Sequence, residues 1–162
     1  MTNDRSVVFV SGVRTAIGTF GGSLKNHEPT ALAAAVVKEA VARANVDPAT
    51  IGSVVFGNVI QTNTRDPYLA RVAAIDGGLP IETPAVTVNR LCGSGFQAIV
   101  SAAQQILLGD VDTAVAGGAE CMSRAAYIVP ARRWGQKMGD ATMVDTLLGA
   151  LNDPFGNGHM GI

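Results

Sequence analysis

The chain has 162 residues, of which 48% are apolar and only 15% charged, with 12 basic residues against 13 acidic. That is enough apolar material to bury the core of one domain, and the even charge balance gives no footing for nucleic acid or an anionic membrane as the main partner. The 19 glycines cluster at element ends rather than in a repeat, which excludes collagen-like and low-complexity order.

The N-terminus, Met1-Thr2-Asn3-Asp4-Arg5-Ser6, lacks the apolar core and cleavage site of a leader and runs straight into Val7-Val8-Phe9-Val10. That run predicts a strand covered on both faces. A glycine-rich loop follows over 14–22. Pro29 predicts a helix start, and Leu32, Val36, Val37, Ala40, Val41 and Ala44 keep helical spacing until Asp47-Pro48 breaks it. Ser53-Val54-Val55-Phe56 reads as a second buried strand, ended by Gly57. Asp66-Pro67 reads as an N-cap carboxylate and a first-turn proline, opening a helix with Leu69, Val72 and Ala73 inward and Gly77-Gly78 at its end.

Val86-Thr87-Val88 predicts a third strand. A tight turn, Asn89–Gly95, leads into a helix with apolar residues at 96, 99, 100, 103, 106 and 107, closed by Gly109. Thr113–Ala116 predicts a fourth strand. Alternating strands and helices point to an α/β fold, a mainly parallel mixed sheet covered by helices on both faces. Its chemistry is then expected beyond the carboxyl ends of the strands. After Cys121 the pattern turns irregular, with basic residues Arg124, Arg132, Arg133 and Lys137. One or two helical turns are expected over 144–148 and turns over 152–158. No uninterrupted apolar run approaches membrane-spanning length.

The two cysteines, Cys92 and Cys121, and the two histidines, His27 and His159, have no metal-ligand spacing. They form no disulfide framework, and a reducing cytoplasm is the expected compartment. Cys92 stands where a strand–turn–helix junction offers unpaired N–H groups and the positive end of a helix dipole. Both favour a thiolate, so Cys92 is the candidate nucleophile. Ser94 does not fit a serine-hydrolase elbow, because the glycines at 93 and 95 flank it directly; it reads as a small residue packed under the turn, or a cap. Gly93-Ser94-Gly95 and Gly117-Gly118 form neither a dinucleotide fingerprint nor a phosphate loop and read as tight turns. Cys121 reads as structural, His27 as a solvated loop residue, and the basic segment as a solvated face or a holder of a phosphorylated ligand.

Asn89-Arg90-Leu91-Cys92-Gly93-Ser94-Gly95 resembles the thiolase family, of the bacterial acetyl-CoA C-acetyltransferase or β-ketothiolase kind. Ser11–Gly18, Gly57–Ile60, Gly117–Glu120 with Met122-Ser123, Lys137–Asp140 and His159-Met160-Gly161 keep the family's order along the whole chain. Position 121 departs from it, with Cys where the family commonly has Ser. The wording around Cys92 favours thiolase over the related ketoacyl-synthase condensing enzymes.

The resemblance implies that Cys92 accepts the acyl group from a coenzyme A thioester, its own backbone N–H serving as an oxyanion donor. Two acetyl-CoA would condense to acetoacetyl-CoA, or a 3-oxoacyl-CoA would be cleaved by CoA. Leu151, His159 and Met160 would line the acyl-CoA pocket, and the basic residues near Arg133 would lie near CoA. Coenzyme A would be substrate and product, with no tightly bound cofactor and no metal. Residues 1–121 would form the N-terminal catalytic α/β half and 122–162 an incomplete loop-domain segment. The C-terminal half, with the histidine that activates the nucleophile and the second cysteine, is expected to be absent. The isolated chain is therefore expected to be inactive, a non-catalytic fragment that at most associates with a partner. At full length, a homodimer or homotetramer acting on acyl-CoA is implied, with no nucleic acid and no membrane.

Overall fold

The computed structural model describes residues 5–162; positions 1–4, part of the N-terminus read above as leaderless, lie outside the described residues. Helix α1 spans Pro29–Ala44 and begins on the expected proline. It ends before Asp47-Pro48, because Asn45 turns left-handed (φ 53°) and caps it. Strand β1 is Ser53–Gly57, helix α2 Leu69–Asp76, strand β2 Ala85–Val88, helix α3 Ser94–Leu108 and strand β3 Ala114–Gly118.

The three strands form one sheet in the order β2-β1-β3, and every ladder in it is parallel. The centre is β1, buried along its whole length. Its period of two sends Val54 and Phe56 to one face, where they pack with Ala33, Val37 and Val41 of α1 and Leu69, Ala70, Ala73 and Ala74 of α2. Val55 faces the other way, against Ala98 and Ala102 of α3. Helices therefore cover both faces, as the alternating pattern predicts. The inner face of α2 includes Ala70 and Ala74 and leaves Val72 half-buried, a small rotation from the expected stripe.

Three expectations are corrected. Val7–Val10 is not a covered strand: Val8, Phe9 and Val10 are 72%, 77% and 64% exposed, and no ladder holds them. A cleft of about 810 Å³ lies between residues 8–20 and β3, so the apolar run does not reach the open outer edge of that strand. Asp66 does not cap α2. It sits in a short 3-10 turn, Asp66–Tyr68, and its fully buried carboxylate turns backwards to accept from Thr62 N (2.6 Å), Thr62 Oγ1 (2.7 Å) and Asn63 N (3.2 Å).

The third correction concerns α3. The sheet side of this helix is the small stripe Ser94, Ala98 and Ala102, while Phe96, Leu107 and Leu108 are exposed. Small side chains win the inner face because the helix must approach the sheet backbone closely at its N-terminus. With the turn before it, Leu91–Leu108 is long and apolar enough to cross a membrane by length and composition, with a mean hydropathy of 1.2. In this fold the segment instead lies along β1 and β3.

Beyond Cys121 the elements are short. Strands β4 (Tyr127–Ile128) and β5 (Val144–Asp145) pair antiparallel, and helix α4 spans Thr146–Leu151. The expected turns at 144–148 are thus a strand step followed by a helix. Asp145 starts that helix by accepting from Leu147 N at 2.8 Å.

Candidate active site

All three strands run the same way, and Gly57 is in register with both Val88 and Gly118, so their carboxyl ends share one edge of the sheet. The turn carrying Cys92 leaves this edge after β2. Its shape follows from its residues. Asn89 Oδ1 accepts from Leu91 N at 3.0 Å, an Asx turn. Ser94 Oγ accepts from Arg90 N (2.8 Å) and donates to Leu91 O (2.6 Å). Held from both sides, Leu91 takes a left-handed conformation (φ 48°), which costs a branched residue about 1–2 kcal/mol. Ser94 is thus the small residue under the turn, buried at the first position of α3.

Cys92 sits at the crest of this turn as an exposed free thiol, one residue before the Gly93 N-cap. Its backbone N–H donates to no protein acceptor among the described residues. The neighbouring N–H groups are not unpaired as the sequence suggests, since the tight turn ties Gly93 N to Arg90 O at 3.1 Å and Ser94 N to Leu91 O at 2.9 Å. A thiol and a free N–H on one residue, just before a helix, are still what addition to a carbonyl needs: a nucleophile and a donor for the developing oxyanion. No hydrogen bond joins Cys92 Sγ to an acid or base among the described residues.

The floor under the turn is bare backbone. A Cβ placed on Gly57 would lie 2.6 Å from Ser94 C and 2.8 Å from Gly95 N, and one on Gly118 would lie 3.4 Å from Gly95 Cα. Only glycine fits at position 57, whereas a Cβ on Gly118 would meet Gly95 Cα at ordinary contact distance and press on Gly57 O at 3.2 Å. Backbone bonds complete the junction, Asn58 N to Val88 O at 3.1 Å and Ala119 N to Gly57 O at 3.1 Å.

Glu120, two residues beyond β3, closes this edge. Its carboxylate accepts from Asn58 Nδ2 (3.0 Å), Val59 N (3.0 Å) and Ile60 N (2.9 Å). Asn58, itself buried, also donates from Nδ2 to Ala119 O at 3.1 Å. Partial burial raises the Glu120 pKa above the ordinary carboxylate value; the Ile60 and Val59 N–H groups pull it back, and the charge of Asp66 adds a push upward. The folded state therefore holds this proton more tightly than the unfolded chain does. That contribution is complete below the unfolded pKa and is lost as pH rises through the higher folded value. Stability is expected to fall slightly from about pH 4 upward. Urea midpoints measured across this range should lose that slope in Glu120→Gln.

The other residues singled out in the sequence lie in two further places. Leu151, His159 and Met160 come together in one hairpin, through Met160 N to Leu151 O at 2.8 Å and a bridge between Asn152 and His159. His159 Nδ1 accepts from Gly161 N at 3.0 Å. None of these bonds reaches Cys92. Cys121 is buried, its Sγ 3.6 Å from Leu24 O, which suits a structural role. It lines the cleft beside residues 8–20, and Cys92 does not. His27 and the basic residues Arg132, Arg133 and Lys137 are exposed.

Glu120 and Asn58 were visible only as letters in Gly117–Glu120 and Gly57–Ile60. The available signal was position: an acid just past a Gly-Gly strand end and an amide just past a strand-ending glycine.

Residues 7–162 match the family described as "Thiolase, N-terminal domain". The β-ketothiolase BktB of Cupriavidus necator is 68% identical over 158 residues, covering 98% of this chain and 40% of that protein. The mitochondrial 3-ketoacyl-CoA thiolase of Bos taurus is 45% identical over 150 residues, covering 92% of this chain and 38% of that one. Two solved structures superpose with a TM-score of 0.89 each. A Bacillus anthracis acetyl-CoA acetyltransferase is 44% identical and covers 95% of this chain and 39% of its own. The human mitochondrial 3-ketoacyl-CoA thiolase in complex with CoA is 41% identical and covers 94% and 39%. This chain spans about two fifths of the length of the relatives it matches. With the parallel sheet, the Cys92 turn and matched residues running from 7 to 162, the chain belongs to the thiolase family and carries its N-terminal domain.

Proposed function

We propose that this chain supplies the nucleophilic half of an enzyme that transfers acyl groups between coenzyme A thioesters. The observation that carries the reading is the Cys92 turn. It exposes a thiol and leaves the N–H of the same residue free at a helix start. The Cys92 thiolate adds to the thioester carbonyl, and its N–H donates a hydrogen bond to the oxyanion that forms. The CoA thiolate then leaves and an acyl-Cys92 remains. A second CoA, as its thiolate, or the carbanion of a second acetyl-CoA whose α-proton a base outside this chain has taken, then attacks the acyl carbonyl, and the Cys92 thiolate leaves.

Leu151, His159 and Met160 are proposed to line the acyl-CoA pocket; their meeting in one hairpin supports it. Residues 1–121 are proposed as the catalytic α/β half and 122–162 as loop-domain segment, since the three-stranded sheet ends at Gly118 and only short elements follow. A homodimer or homotetramer is the proposed assembly of the full-length protein, supported by the outer edge of β2, unpaired among the described residues, and by the exposed Trp134 and Met138. The unpaired thiols of Cys92 and Cys121 support a reducing, cytoplasmic compartment.

The test is a graft in which this chain replaces the corresponding N-terminal two fifths of the Cupriavidus necator β-ketothiolase. The graft is expected to cleave acetoacetyl-CoA with CoA, and the 162-residue chain alone to show no turnover, because among the described residues no acid or base is hydrogen-bonded to Cys92. A well-folded graft without turnover would overturn the reading.

A further inference from the structure

We propose that Glu120 is a positioning residue for Cys92: by gripping the segment that leaves β1, it sets the floor on which the Cys92 turn rests. The inference rests on the reading of Cys92 as the nucleophile. It goes further by assigning a role to a carboxylate that touches neither Cys92 nor a substrate.

The chain of contacts is continuous. The Glu120 carboxylate holds Asn58 Nδ2, Val59 N and Ile60 N, all at 2.9–3.0 Å. Those residues follow Gly57 directly. Gly57 lies against Ser94 with no room for a Cβ, and its carbonyl accepts from Ala119 N next to Glu120. Ser94 in turn grips Arg90 N and Leu91 O, the two backbone groups that shape the left-handed step before Cys92. Each link is a hydrogen bond or a backbone-to-backbone contact, and neither stretches cheaply. A shift of residues 58–60 therefore passes to Ser94 and tilts the turn that aims the thiol and its N–H.

Three bonds to one carboxylate are also more than a strand exit needs. The preceding junction is already closed by Asn58 N to Val88 O and Ala119 N to Gly57 O. The carboxylate adds orientation rather than pairing. It sits at the carboxyl edge of the sheet, where a shift of residues 58–60 reaches Cys92 through Gly57 and Ser94.

The experiment uses the graft described above. Glu120→Gln keeps the volume and one acceptor oxygen but sets an NH2 against the Val59 or Ile60 N–H. The rate of acyl-Cys92 formation, read as a pre-steady-state burst, is expected to fall about 10- to 100-fold while KM changes less than about threefold. Alkylation of Cys92 by iodoacetamide should slow in parallel, with an unchanged circular dichroism spectrum. A folded variant with undiminished acylation would overturn the inference, and so would an equal rise in KM and no fall in kcat. Should Glu120→Gln fail to fold, Asn58→Ser decides instead. It gives up the two side-chain bonds yet leaves both backbone bonds to Glu120. Slower acylation at constant KM then supports the role, and an unchanged rate overturns it. An active, Cys92-dependent graft that tolerates both variants defeats this inference alone. A folded but inactive graft whose Cys92 alkylation still slows in Glu120→Gln defeats the proposed function and leaves the positioning role standing.

Discussion

Cys92→Ala in the graft is expected to lower thiolysis of acetoacetyl-CoA by about a thousandfold or more and to abolish the acyl-protein adduct seen by mass spectrometry. The expectation is sharp because the substitution removes chemistry and almost no packing. The thiol is exposed and free, so its loss opens no cavity and breaks no hydrogen bond. The left-handed step at Leu91 and both bonds of Ser94 Oγ remain. Melting temperature should therefore stay near that of the parent. Retained turnover would show that another group carries the acyl chain. Within this chain Cys121 is the other thiol, and it is buried beside Leu24 rather than on the strand-end edge.

Gly57→Ala is expected to do the opposite, harming the fold and the site together. The new methyl would lie 2.6 Å from Ser94 C and 2.7 Å from Ser94 Cβ. The struck atoms belong to the first turn of α3, so relief requires moving a helix against the central strand. Overpacking of this kind costs about 3 kcal/mol, the upper end of its usual range, because backbone rather than a flexible side chain must yield. A denaturant midpoint will register the loss of stability. Activity should fall further than stability alone explains, since the same displacement carries Ser94 away from Arg90 and Leu91. An alanine accepted with a change under about 0.5 kcal/mol would mean that the strand end and the helix are less tightly joined than the contact implies.

The two variants separate what local chemistry presents from what packing imposes, and the reading of the sequence divides along the same line. The strand run Ser53–Phe56, the proline start of α1 and the Asn89–Gly95 turn before α3 were legible because each is decided by neighbouring residues. An Asx turn, a helix-breaking pair or a β-branched run acts within a few positions. The elements that misled are those whose environment comes from far along the chain. Val7–Val10 has every local mark of a buried strand, yet a strand needs an edge beside it, and here a cleft intervenes. The apolar stripe of α3 points at a core by composition, but close approach at Gly57 and Gly118 gives the inner face to Ser94, Ala98 and Ala102. Asp66 looked like a helix cap from Pro67 alone. Three donors at Thr62 and Asn63 outbid the helix for its carboxylate.

The sequence by itself determined the class of fold, the family and the strand–turn–helix junction that carries Cys92, because such a junction is a local arrangement written in consecutive residues. Only the tertiary structure decided what holds that junction. Gly57, Ser94, Gly118 and Glu120 come from three separate segments, and nothing in their spacing along the chain announces that they meet. They meet because three parallel strands end on one edge, and contacts across that edge depend on register, which side-chain periodicity within a single segment does not encode.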